Sequence, residues 1–294
     1  MEARDFSIGN AAGTAKRFDQ VQLLARTAVT AITVGSGGER KRDGNSGVMY
    51  GFNGDTRTSA NAFGIPDANG SEGWKIVLPK MVEVAKREHK QLRFSAAAFN
   101  GPHEYGRMAA LAYECGVHRV VLNVGCPNIR AIGGKSIPSY NPGELDEILE
   151  IVGNYIGTED IELKLSPIDN ALIPQLAAVI RKHKIVTGIE AVNTLPHQRL
   201  QMPDGTSALN YTGEDGKKYE TGGLAGAPLK EHGLRVVREF RRELGDGFGI
   251  IGVGGIFTSD DVADYVTAGA DGIQVATAYL EYGPKIFEEL LQGL

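Results

Sequence analysis

Short runs of β-branched and apolar residues recur along the chain, around positions 6–11, 29–34, 92–97, 119–124, 161–165, 189–192, 249–252 and 272–275. Each predicts a buried strand. Between them apolar positions fall at helical spacing, as in QVQLLARTAV, GWKIVLPKMVEVAKREH, EYGRMAALAYECG, PGELDEILEIVGNYI and LIPQLAAVIRKH. TSDDVADYVTAGA adds helix punctuation, with Thr258 or Ser259 as N-cap and Asp260 and Asp261 in the first turn. Strand–helix alternation predicts an α/β protein with a parallel sheet. Eight strands in 294 residues predict one domain over 1–294, a closed (β/α)8 TIM barrel.

Two Gly- and polar-rich stretches, 35–73 and 196–223, break the rhythm. Both follow a strand, which puts them on the carboxyl-end face of a barrel. Long loops in a compact domain carry function more often than ordinary connections do, and active sites of such barrels lie on that face.

Composition narrows the function classes. Hydrophobic residues make up 42% of the chain and charged residues 23%, an ordinary globular balance, and the net charge is −5. No basic stretch exceeds ERKR at 39–42, so the footprint of a nucleic-acid binder is missing. No run of apolar residues is long enough to span a membrane, and MEARDFSIGN has no signal-peptide core. With only Cys115 and Cys126, the expectation is a cytoplasmic protein with free thiols. The six histidines show no metal spacing, and no metal is expected.

The chemistry gathers at predicted strand ends. TGGLAGAPL (221–229), GVGGI (252–256) and QVATA (274–278) bring small residues together. Any one glycine can simply make a tight turn. Three such ends in succession predict a phosphate cradle, with the helix after GVGGI adding its dipole. In LKLSP (163–167), Leu163 and Leu165 would face the helices, which turns Lys164 inward; a misread strand would leave it on the surface. In NVGCPN (123–128), Cys126 sits just past a strand and is either a turn residue or a reagent. Cys115, near a helix end in LAYECGVH, reads as a small core residue.

The ordered set AAGxxK, GS, NxxGxP, NxxCPN, KLSP, NT, GGLxG, GxGGI and QxxTA runs from NAAGTAK to QVATAYLEYGP and resembles the dihydroorotate dehydrogenase family of FMN-dependent barrels. By that resemblance Ala12, Gly13 and Ser36 line the flavin ring and Lys164 meets its N1/O2 edge. Gly226, Gly254, Gly255, Ala276 and Thr277 hold the FMN phosphate, and Asn123 and Asn193 contact flavin, substrate or both. Asn61, Asn123, Asn128, Asn193 and Thr194 orient the substrate, and Lys16 meets its carboxylate. Cys126 is the implied catalytic base, taking a proton from the carbon α to a ring carbonyl of dihydroorotate while a hydride leaves the neighbouring carbon for flavin N5. Gly133 and Gly134 are the implied hinges of a lid following Cys126.

The resemblance also implies a homodimer, with fumarate, or NAD through a partner subunit, as electron acceptor. The cysteine belongs to the soluble branch of the family, whereas AAGTAK and VGS look like the serine-containing branch. Three positions depart from the pattern: Gly125 in place of serine, Asp67 in place of asparagine, and Gly35 where the cysteine branch has a lysine. A carboxylate at 67 is expected to repel a substrate carboxylate, so a different cyclic or conjugated carbonyl compound is the rival substrate. A non-redox phosphate-binding lyase or isomerase is a further alternative.

Overall fold

The computed structural model describes residues 6–128 and 137–292. Eight parallel strands close a barrel in sequential order: Ser7–Asn10, Ala31–Gly37, Gln91–Ala96, Arg119–Asn123, Ile161–Leu165, Val186–Ala191, Gly249–Val253 and Gly272–Val275, here strands one to eight. Every predicted strand is present. Helices follow them in turn and form the outer layer, among them Phe18–Ala25, Gly70–Arg87, Pro102–Glu114, Pro142–Ile156, Ile173–Lys182, Lys230–Leu244 and Ser259–Ala268. The first helix is shorter than its apolar pattern predicts: it ends at Ala25, and Val29 is buried in the turn before strand two.

The two faces of the strands differ in kind. Outward residues such as Ile32, Phe94, Leu122, Leu163, Leu165 and Ile189 join the helices in the main apolar core. The alternate positions on the same strands include Thr33, Arg93, Ser95, Asn123, Glu162, Lys164, Glu190 and Gln274, all on the polar inner face. Buried polar groups need partners, and these find them in one another. At the amino end of the barrel Arg93 lies 3.0 Å from Glu162. Burial raises the Glu162 carboxyl above its usual range.

The two stretches expected as loops carry short strands. Thr58–Asn61 of the first pairs antiparallel with Gly222–Gly226 of the second, joining Tyr50–Asn53 and Leu195–Gln198 in a four-stranded sheet. Ser46–Val48 pairs with Asn210–Thr212, which pairs with Lys218–Tyr219. Ala60, Ala62, Leu200, Ala208, Leu209 and Tyr211 form a separate small core beneath them. This second layer stands on the carboxyl-end face, so strands from the two insertions wall the barrel mouth.

Candidate active site

The strand ends and the insertions enclose a cavity of about 350 Å³. Every site residue named from the sequence lines it: Ala12, Gly13, Lys16, Ser36, Asn61, Asn123, Cys126, Asn128, Lys164, Asn193, Thr194, Gly226, Gly254, Gly255, Ala276 and Thr277. Gly133 and Gly134 lie outside the described residues. Beyond them, Ser139 donates its N–H to Val124 O at 3.0 Å, and Asn141 caps the helix Pro142–Ile156.

One end of the cavity is made of backbone. Gly254 and Gly255 follow strand seven, Ala276 and Thr277 follow strand eight, and Gly226 ends an insertion strand. Gly226 has φ of 85°, and a Cβ there would lie 2.1 Å from the carbonyl oxygen of Arg57, so the two insertions meet at a point that only glycine permits. Among the described residues none accepts from the amides of Gly254, Gly255 or Ala276. The Ser59 and Thr277 hydroxyls lie 2.8 Å apart beside them. Free amides converging on small residues fit a phosphate.

The helix Ser259–Ala268 does not add its dipole, contrary to expectation. Its first turn is closed by a capping box in which Asp261 accepts from the N–H groups of Phe257 and Thr258 at 2.8 and 2.9 Å. Asp261 also pairs with Lys230, so that positive end is already occupied.

The other end is made of side chains. Asn123 donates to Ser36 Oγ at 2.9 Å, which lies 2.7 Å from Ser95 Oγ. Asn193 donates to Asn123 Oδ1 at 3.2 Å, and Asn128 donates to Asn61 Oδ1 at 2.9 Å. Beside these pairs the Thr194 hydroxyl is buried and has no hydrogen-bond partner among the described residues. Such a polar atom is ready for a ligand. Cys126 stands just past strand four, half-buried on the same wall.

Lys16 donates to the carbonyl oxygens of Ser36, at 2.9 Å, and Pro66. Its pKa is pulled down to about 8, chiefly by burial, with Asp67 and Cys126 pulling the other way. On the floor Lys164 lies 3.3 Å from both Gln274 Oε1 and Glu190 Oε2. It points inward, as its alternation with Leu163 and Leu165 requires. A flavin ring fits these groups: cations and amides line one end of the cavity and free amides the other.

The structure accounts for each departure. The Asp67 carboxylate is turned away from the cavity and accepts from Gly38 N, Asn69 N and Trp74 Nε1 at 2.8–2.9 Å. The expected repulsion of substrate therefore has no direct source. A Cβ on Gly125 would come within 2.5 Å of Ser166 N, and Ser166 donates to Gly125 O. A Cβ on Gly35, at φ 108°, would lie 2.5 Å from Ser95 O, so no lysine fits there and Lys16 is the cation at that wall.

Sequence reasoning missed Ser59, Glu190, Ser95 and Tyr50. Tyr50 lines the cavity rim and donates to Glu281 at 2.6 Å. Gln274 lay inside a quoted motif without being assigned a role. Glu190 and Gln274 share the inward face with Lys164, and strand alternation could have found them. Ser59 has no such signal, because a pairing partner far along the chain sets its place.

A parallel barrel whose mouth joins a phosphate cradle to amides, buried lysines and a thiol fits an FMN-dependent oxidoreductase. The sequence profile of the family described as dihydroorotate dehydrogenase matches residues 5–294. The chain belongs to that family. It is 28% identical over 272 residues to the catalytic subunit of dihydroorotate dehydrogenase B (NAD(+)) from Thermoplasma volcanium, covering 92% of this chain and 81% of that one. A putative dihydroorotate dehydrogenase A (fumarate) from Streptococcus pyogenes is 26% identical, over 99% of this chain and 88% of that one. A dihydroorotate dehydrogenase (quinone) from Trichodesmium erythraeum is 34% identical over 65% of this chain, which spans 48% of that protein. The crystal structure of the Eimeria tenella enzyme in complex with ferulenol shares the fold, with a TM-score of 0.82 at 19% identity over 97% of this chain and 79% of that one. No helix among the described residues is long and apolar enough to cross a membrane.

Proposed function

We propose that the chain oxidises dihydroorotate to orotate in pyrimidine biosynthesis, with Cys126 as the base. The observation that carries this is the wall where Cys126, Lys16, two asparagine pairs and a Thr194 hydroxyl without a partner among the described residues face one cavity. Amides in that number suit a flat ring rich in carbonyl and N–H groups. Lys16, charged at neutral pH, holds the substrate carboxylate. Asn61, Asn123, Asn128 and Asn193 fix the ring, and Thr194 supplies a further donor. Cys126 takes the proton from the carbon α to the ring carbonyl. FMN, when bound, supplies the hydride acceptor. Lys164 would meet the N1/O2 edge of its ring, and Gly226, Gly254, Gly255, Ala276 and Thr277 would take its phosphate.

Anaerobic addition of dihydroorotate to the yellow protein should bleach the flavin; an unbleached spectrum with FMN bound would rule out this substrate. NAD, through a partner subunit, or fumarate is the proposed acceptor, on the strength of the full-length relatives so named. Reoxidation of the reduced protein by fumarate alone separates the two. The proposal includes cytoplasmic location and a homodimer, the latter checked by sedimentation.

A further inference from the structure

Beneath the cavity floor lies a carboxylate that the proposed reaction does not use. The Glu190 side chain is 0% exposed and that of Lys164 5%, so the 3.3 Å ion pair between them is shielded from water. Gln274 ties the two together: its Oε1 accepts from Lys164 Nζ, and its Nε2 donates to Glu190 Oε1 and, at 3.3 Å, to Thr33 Oγ1. Among the described residues Glu190 Oε2 has no hydrogen-bond partner, and it lies 3.3 Å from the lysine ammonium. The strand register sets Ile251 opposite Glu190 and Val253 opposite Gln274, so the neighbouring wall is apolar. Lys164 lines the cavity and Glu190 does not.

We infer that the buried charge of Glu190, set behind Lys164, lowers the electron affinity of the bound flavin. This rests on the flavin reading above. A cation at the N1/O2 edge favours the reduced, more negative ring. A carboxylate paired to that cation on its far side cancels part of its charge where water cannot screen it. The lysine is thereby held in place while its pull on electrons is moderated. Arg93 and Glu162, also on the inner face, pair with each other at 3.0 Å, and the Glu190 charge helps raise the Glu162 carboxyl.

The test is the midpoint potential of bound FMN, read from flavin absorbance against reference dyes in wild type, Glu190→Gln, Lys164→Gln and the double variant. Glu190→Gln should raise the potential, favouring reduction by tenfold or more, which is about 30 mV for a two-electron couple. Lys164→Gln should lower it. The double variant should lie above Lys164→Gln when both are read at about pH 9.5, where even a lone buried carboxylate is ionised, and this second comparison measures the Glu190 charge without leaving a buried ammonium unpaired, so it stands even where Glu190→Gln fails to fold. FMN bound at an unchanged potential on removing Glu190 from the Lys164→Gln background would overturn the inference alone. Wild-type protein that takes up no FMN would overturn the flavin reading and the inference with it.

Discussion

The two ends of the cavity are built from different materials. At the phosphate end the contacts are backbone amides, and the residues matter for the atoms they lack. At the ring end the contacts are side chains, and the residues matter for groups they carry and for what holds those groups. The first end should therefore be sensitive to added bulk and indifferent to lost side chains. The second should show the reverse.

The largest effect on that comparison is expected at Gly226. Gly226→Val puts branched carbon where a Cβ alone would lie 2.1 Å from Arg57 O, at φ of 85°. The insertions must part, at about 2–4 kcal/mol of stability, and FMN affinity should drop more than about a hundredfold, that is about 2.7 kcal/mol or more. Equilibrium dialysis and thermal melts check this; a variant that holds FMN normally would show that the glycines are not the cradle.

At the other end, Lys16→Met should raise the KM for dihydroorotate at pH 7 by roughly 10–100-fold, the loss of one charge-assisted hydrogen bond. Wild type should add a pH signature. Its Lys16, at about 8, is charged at neutral pH and loses its proton as pH rises through that value, so KM should climb above pH 8. Steady-state kinetics across pH should show the rise in wild type and not in Lys16→Met.

Gly125→Ser restores the family's usual residue and tests whether the site or its support sets that position. The contact with Ser166 N predicts destabilisation by about 1–3 kcal/mol, seen as a lower Tm. Thr277→Ala should matter least. It removes one hydroxyl from the pair with Ser59 and leaves the amide, so FMN affinity should fall by about 1 kcal/mol, roughly fivefold.

The barrel and the residues at its strand ends were legible in the sequence, for a physical reason. Each barrel strand carries its own short apolar or β-branched run, and most of the motifs stand just past one. The insertion strands were not legible. They run two to five residues, as in Lys218–Tyr219 and Gly222–Gly226, and exist only because Thr58–Asn61 finds its partner in a distant stretch. Asp67 misled because position in a motif does not report direction: three N–H donors turn its carboxylate into the wall. The helix after GVGGI misled because its own Asp261 completes the cap. In both cases a competing local partner decided the outcome, and no single-residue pattern reports such partners.

In the proposed function, proton abstraction sits at the ring end of the cavity and the FMN phosphate at the other. Cys126→Ala tests it most directly, with FMN affinity by dialysis and flavin reduction by dihydroorotate in anaerobic single turnover measured on the same protein. FMN affinity should be unchanged and the rate about 10²–10⁴-fold lower, the loss of a positioned base. Flavin reduced by dihydroorotate as fast as in wild type would contradict it.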